Sequence, residues 1–213
     1  MKRPYVLGIG LPKTGTLTLT TALNRLGWRA MHNHARGKRI VQQNREAGRP
    51  LLAGKHGFTA FTDNPWPNLY REIDAQYPGT LFIYTVRDTV EWLESRVKHA
   101  QRNAGNPGYT GGWIVEHPER SLLQYAQHDA EVREYFAGRA DWLEFDACGG
   151  DGWEKLCRFL GPYVPRLRVP QTPFPHKNKA EVLAKQAKRR RDFERKKKEV
   201  LRAAKTRKTR GTG

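Results

Sequence analysis

The stretch Pro4-Tyr5-Val6-Leu7-Gly8-Ile9-Gly10 followed by Leu11-Pro12-Lys13-Thr14-Gly15-Thr16 constrains this chain more than any other. A short, continuously apolar run ending in glycine reads as a buried strand. Leu19, Ala22, Leu23 and Leu26 then fall on one face of a helix over 15–26, and Gly27 supplies its C-terminal cap. Strand, glycine-containing turn and helix in succession make a phosphate-cradling arrangement. The glycines let the backbone turn tightly, and N–H groups at the helix start point at an anion. A turn that merely joins strand to helix uses the same residues, so the rest of the chain must decide.

Downstream, strands and helices keep alternating. Strands are expected over 28–31, over 57–62 (where it stops at Asp63-Asn64-Pro65), over Thr80–Val86 and over 140–145. Thr80–Val86 is the strongest of them, rich in β-branched and aromatic residues. Helices are expected over 37–47, over 68–76, from Val90 behind an Asp88-Thr89 cap, over 121–136, and through Trp153, Leu156 and Leu160 behind an Asp151 cap. The segment 101–112, rich in Gly and Asn, reads as a loop bordering the site, and the five prolines between Pro162 and Pro175 exclude regular structure there. The implied fold class is α/β, a P-loop three-layer sandwich with a central parallel sheet, plus a basic C-terminal helix. Such a sheet binds ligands at the C-terminal ends of its strands.

Composition narrows the function classes. The chain of 213 residues suits one domain, assigned to 1–177, followed by a basic helical or partly disordered tail over 178–213. From Lys177 onward there are 16 Lys/Arg against 4 Asp/Glu, so that stretch holds +12 of the formal +18 and residues 1–176 only +6. No run approaches the roughly 20 apolar residues of a membrane span, and Met1-Lys2-Arg3-Pro4 enters a strand without the apolar core of a signal peptide. Cys148 and Cys157 are too few for a disulfide framework and lack a C-x-x-C or His cluster. A reducing cytoplasm and no metal site are the expectation.

The loop is not that of a nucleotide kinase. Gly10 and Gly15 have the spacing of Gly-x4-Gly-Lys-Ser/Thr, but Thr16 takes the lysine position and Leu17 the position of the Mg²⁺-binding hydroxyl. The lysine has moved inside the loop, to Lys13. Pro12-Lys13-Thr14-Gly15-Thr16 after a strand resembles the 5′-phosphosulfate loop of sulfotransferases that use 3′-phosphoadenosine-5′-phosphosulfate (PAPS). Arg87, at the end of the best strand, and Ser95, eight residues on, are similar to the pair with which that family holds the 3′-phosphate. Phe145-Asp146, then Gly150–Gly161, then Pro173-Phe174-Pro175-His176-Lys177-Asn178 resemble a single-domain branch of the same superfamily. The likeness spans about residues 4–180 and lacks the Arg-Lys-Gly-x-x-Gly-Asp-Trp stretch of the steroid and phenol enzymes, so their acceptor preferences do not carry over.

The resemblance implies in-line transfer of a sulfuryl group from PAPS to a hydroxyl or amine of a small-molecule or glycan acceptor, leaving 3′-phosphoadenosine-5′-phosphate (PAP). Lys13 would stabilise the leaving oxygen, with Pro12, Thr14, Gly15, Thr16 and Leu17 forming the loop and Arg87 and Ser95 the far end. Asp63 is the candidate base; it is equally a good turn residue, and His32 and His34 compete for the role. Trp92 belongs either near the adenine or in the core, and His176 and Asn178 are placed to close over the cofactor. Two other readings stand beside this one: a P-loop small-molecule kinase, and a non-catalytic protein that contacts a polyanion through the basic tail.

Overall fold

The alternating pattern folds into one parallel sheet in the computed structural model, which describes residues 3–32, 34–54 and 57–175, without the side chain of His34. Its strands are β1 (Val6–Gly8), β2 (Ala30–Met31), β3 (Ala60–Phe61), β4 (Leu81–Thr85) and β5 (Trp142–Phe145). They lie in the order β2-β3-β1-β4-β5, and every pairing is parallel. Val6 stands opposite both Ala60 and Leu81, and Thr85 opposite Phe145. The expectations for His176, for Asn178 and for the tail fall outside the described residues.

Seven helices accompany the sheet among the described residues: α1 (Thr16–Arg25), α2 (His34–Glu46), α3 (Tyr70–Gln76), α4 (Thr89–Asn103), α5 (Trp113–Glu116), α6 (Pro118–Tyr135) and α7 (Trp153–Leu160). Strand alternation sorts the core into two faces. Val6, Ala60, Leu81, Ile83 and Phe145 meet Leu19 and Leu23 of α1 and Leu156 and Leu160 of α7. Leu7, Phe61, Phe82 and Tyr84 meet Val41 of α2, Ile73 of α3 and Val132 of α6. All five residues of β4 are buried, as a central strand sandwiched between helix layers demands.

Local chemistry sets the element ends. Gly27 (φ 87°) follows α1 in a left-handed conformation; its amide reaches Asn24 O and that of Trp28 reaches Leu23 O, the paired bonds of a Schellman cap. The Asp88 carboxylate caps α4 by accepting from the amides of Val90 and Glu91. Asp151, expected to cap α7, does not: Gly152 holds that position. The Asp151 carboxylate instead accepts from the Asp146 amide and from Lys155 Nζ, each at 2.7 Å, bracing the turn between β5 and α7. The strand expected over 57–62 shrinks to β3 because Gly57 (φ 71°) and Asp63 (φ 67°) both leave the extended region. Helix α4 runs to Asn103, three residues into the expected loop.

One buried group gives the fold a pH dependence. His128 of α6 is buried, and its Nε2–H donates to the carbonyl of Ile9 at 2.8 Å, at the exit of β1. Burial holds its pKa below the ordinary histidine value. The unfolded chain therefore binds this proton more readily than the native one, so stability falls as pH drops below about 6.5, at no more than about 1.4 kcal/mol per pH unit from this site. The expected outcome is that His128→Gln, which keeps a donor but cannot titrate, melts with a flatter pH profile between neutrality and pH 5. Parallel profiles for variant and wild type would refute the assignment.

Candidate active site

The order of the strands makes the chain leave β1 toward β2 and leave β4 toward β5, so the loops after β1 and β4 diverge and open a crevice between them. The loop after β1 is held by its carbonyls. Thr14 donates to Leu11 O through both its amide (3.3 Å) and its hydroxyl (2.6 Å), Trp92 Nε1 donates to Pro12 O (2.9 Å), and Arg87 Nη1 donates to Lys13 O (3.3 Å). Thr14 Oγ1 also shares a 2.7 Å hydrogen bond with Thr85 Oγ1, at the end of β4. The Pro12 and Lys13 carbonyls are thus tied to α4 and to the residues just before it, and Leu11 O is tied through Thr14 to the end of β4. The turn needs left-handed backbone at Lys13 (φ 78°) and Gly15 (φ 98°), the latter being the N-cap of α1. The first acceptor of α1 is Gly15 O, which receives the Leu19 amide, so the amides of Thr16, Leu17 and Thr18 begin the helix without an intrahelical partner, at the edge of the crevice.

The crevice is an open cleft of about 340 Å³. Of the residues singled out in the sequence, Pro12, Lys13, Gly15, Thr16, Leu17, His32, Asp63, Arg87 and Ser95 border it. Thr14 does not, being buried beneath the loop as its anchor. Trp92 is fully buried as well and packs on Tyr125 at 4.7 Å between ring centres; it supports the loop from inside the core. Leu17 is 62% exposed, an apolar side chain on the rim where a kinase would place a hydroxyl.

A pair of ionisable side chains frames each end. Arg87 is fixed through its backbone by the Tyr125 hydroxyl, which accepts from its amide (3.2 Å) and donates to its carbonyl (2.9 Å), and its guanidinium lies 3.5 Å from Glu91. Across the cleft, His32 Nδ1 is 3.2 Å from Thr62 Oγ1, and its Nε2 is 3.7 Å from Asp63 Oδ2. Asp63 Oδ1 is buried with no hydrogen-bond partner among the described residues. Thr62 itself is tied to Thr20 of α1 by a 2.5 Å hydroxyl pair. Lys13 is held below the usual lysine pKa by burial first, then by Arg102 and Arg87, with Asp63 pulling the other way.

Sequence reasoning did not single out several neighbours. His99 and Cys148 border the cleft, and Arg96 and Arg102 stand close enough for their charges to act on Lys13. The signal for His99 and Arg102 was present: they lie four and seven residues beyond Ser95, on the same helical face. Cys148 carried none, since its approach to Gly15 is set by the turn after β5. Among the described residues no group of three or more His, Cys, Asp or Glu is arranged to hold a metal ion, and no helix is long and apolar enough to cross a membrane.

Fold and cleft together define an α/β domain with a cationic crevice at its strand ends. The family pattern described as a sulfotransferase domain matches residues 5–120 and 106–183, and the chain belongs to that family. A crystal structure of a sulfotransferase from Alicyclobacillus acidocaldarius superposes with a TM-score of 0.53 at 15% identity, covering 87% of this chain and 90% of that one, a likeness of fold. No curated protein sequence matches the chain.

Proposed function

We propose that the cleft binds PAPS and that the protein transfers its sulfuryl group to a hydroxyl or amine of a small-molecule or glycan acceptor. One observation carries the reading: the Lys13 loop and the Arg87/Ser95 pair, distant in sequence, border a single cleft. The donor set fits a ligand with an anion at each end. Lys13, the Thr16 hydroxyl and the amides at the start of α1 suit the 5′-phosphosulfate, while the guanidinium and hydroxyl of Arg87 and Ser95 suit the 3′-phosphate. PAPS, when bound, supplies an activated sulfuryl group whose leaving group is a phosphate oxygen.

The remaining chemistry belongs to the chain. Lys13 neutralises charge on the departing oxygen, a preplaced cation in a partly desolvated site. Asp63, whose side chain borders the cleft beside Lys13, takes the proton of the attacking hydroxyl or amine. His32, held near Thr62 through Nδ1, sets its Nε2 3.7 Å from Asp63 Oδ2, on the same side of the cleft. Leu17 on the rim leaves no hydroxyl for a Mg²⁺-bridged triphosphate, which is why the donor is expected to bind without metal.

Calorimetric titration with PAP in the absence of metal tests this. Wild type is expected to bind, and Arg87→Ala to bind about 10²-fold more weakly, the loss of a charge-assisted pair of hydrogen bonds. Wild type that ignores PAP and binds ATP–Mg²⁺ would overturn the reading in favour of a kinase.

A further inference from the structure

Helix α4, which borders the cleft through Ser95 and His99, carries more positive charge beside them than the donor reading uses. Along this helix Glu91 lies against Arg87, and Glu94 against Lys98 on the outer surface. Arg96 and Arg102 have no ion pair among the described residues. Arg96 is the more unusual of the two. Its Nε is buried without a hydrogen-bond partner, and its guanidinium lies 5.6 Å from the centre of the Trp92 ring. A half-buried guanidinium without a carboxylate is costly, because its lost hydration is not replaced. Arg102 spends one nitrogen, Nε, on the Lys98 carbonyl (3.3 Å), leaving its other two unassigned.

Between the two arginines His99 borders the cleft. Tyr109, from the loop after α4, stands edge-on to it at 6.0 Å, and the Asn103 amide donates to the His99 carbonyl at 2.7 Å. Arg96 and Arg102 stand close enough to Lys13 and to His99 for their charges to act on both, and Asp63 is the acidic group that faces them. Lys13, Arg87 and Ser95 already serve both ends of PAPS in the reading above, and the present inference rests on that reading. The excess cations of α4 beyond Ser95, beside Lys13 and His99, therefore await a charge that the donor does not bring.

We propose that the acceptor carries, beside its nucleophilic hydroxyl or amine, an oxyanion received by Arg96 and Arg102 next to His99. A carboxylate or a phosphate fits the planar fork of arginine, which grips either through paired N–H donors. Tyr109 adds an aromatic ring beside His99. Such a pocket selects acidic acceptors over neutral ones of the same shape, because a neutral group leaves the half-buried Arg96 guanidinium unpaired.

The test uses the full chain saturated with PAP, so that donor subsites are filled, and follows the His99 ring by NMR as inorganic phosphate, or acetate in a parallel arm, is added. The expected result is a saturable shift of the His99 resonances and a rise in its pKa, because the anion offsets the neighbouring cations that now help to depress it. The Arg96→Gln/Arg102→Gln double variant should lose that response while its PAP affinity stays within about twofold of wild type. An unresponsive His99 in both arms, or an unchanged response in the double variant, would overturn the proposal. So would a double variant that loses PAP as Arg87→Ala does, since the arginines would then belong to the donor. Wild type that never binds PAP is a different failure, that of the donor reading itself.

Discussion

Lys13→Ala is expected to lower turnover by about 10²–10³-fold, the cost of removing one preplaced charge from a developing oxyanion. The substitution is clean for a structural reason. Lys13 sits at φ 78°, a conformation equally strained for lysine and alanine, so the backbone cost of the loop is unchanged. The loop is held by the Leu11, Pro12 and Lys13 carbonyls, none of which depends on the Lys13 side chain. Thermal stability should therefore hold, or rise slightly as a cation leaves the neighbourhood of Arg87 and Arg102. The pH profile supplies a second signature. Since burial and its cationic neighbours depress the Lys13 pKa, the ammonium is lost as pH rises through a value below that of ordinary lysine, and PAP affinity should decline there. Lys13→Ala should lack this alkaline limb. Turnover measured as PAP release with a fixed acceptor, beside calorimetry across pH, checks both. A variant that keeps wild-type turnover would remove Lys13 from the chemistry.

How much of this was legible beforehand depends on the range of the interaction involved. The Gly10–Thr16 loop and the Arg87/Ser95 spacing are local patterns, and strand, turn and helix form where those patterns place them. The alternation of β4 between the two core faces follows from its residue types in the same way. The bonds that bring the loop to β4 and α4 are another matter. Thr14 to Thr85, Trp92 to Pro12 and Arg87 to Lys13 each span more than 70 residues, and no periodicity encodes them. Trp92 illustrates the difference: its place on α4 was readable, but whether it met an adenine or the back of the loop depended on how α4 packs. His99 and Arg102 shared a readable helical face with Ser95, yet acquired meaning only when Lys13 was found in front of them. Asp151 failed as a cap because a competing acceptor role, at the Asp146 amide, lay in tertiary structure.

Gly10→Ala is expected to destabilise the protein by about 3 kcal/mol or more, lowering the melting temperature by about 6–12 °C, whereas Gly8→Ala, two residues earlier, should cost about 1 kcal/mol. A Cβ at Gly10 would lie 2.0 Å from Thr85 Oγ1, 2.2 Å from the Thr85 carbonyl oxygen and 2.8 Å from Thr14 Oγ1. At Gly8 the nearest atoms are side-chain carbons, Thr62 Cγ2 at 3.0 Å and Leu19 Cδ2 at 3.2 Å, which can give way. The missing side chain at Gly10 is what lets the ends of β1 and β4 approach closely enough for Thr14 and Thr85 to bond. Forcing them apart should therefore weaken PAP binding together with stability, because Lys13 and Arg87 are brought to one cleft by that junction. The double variant Gly10→Ala/Thr85→Ala separates the causes. Removing the Thr85 hydroxyl relieves the shortest contact but leaves the backbone carbonyl in place, so only partial recovery of the melting temperature is expected. Full recovery would show that β4 yields at this point and that the close approach is not what joins the two halves of the site.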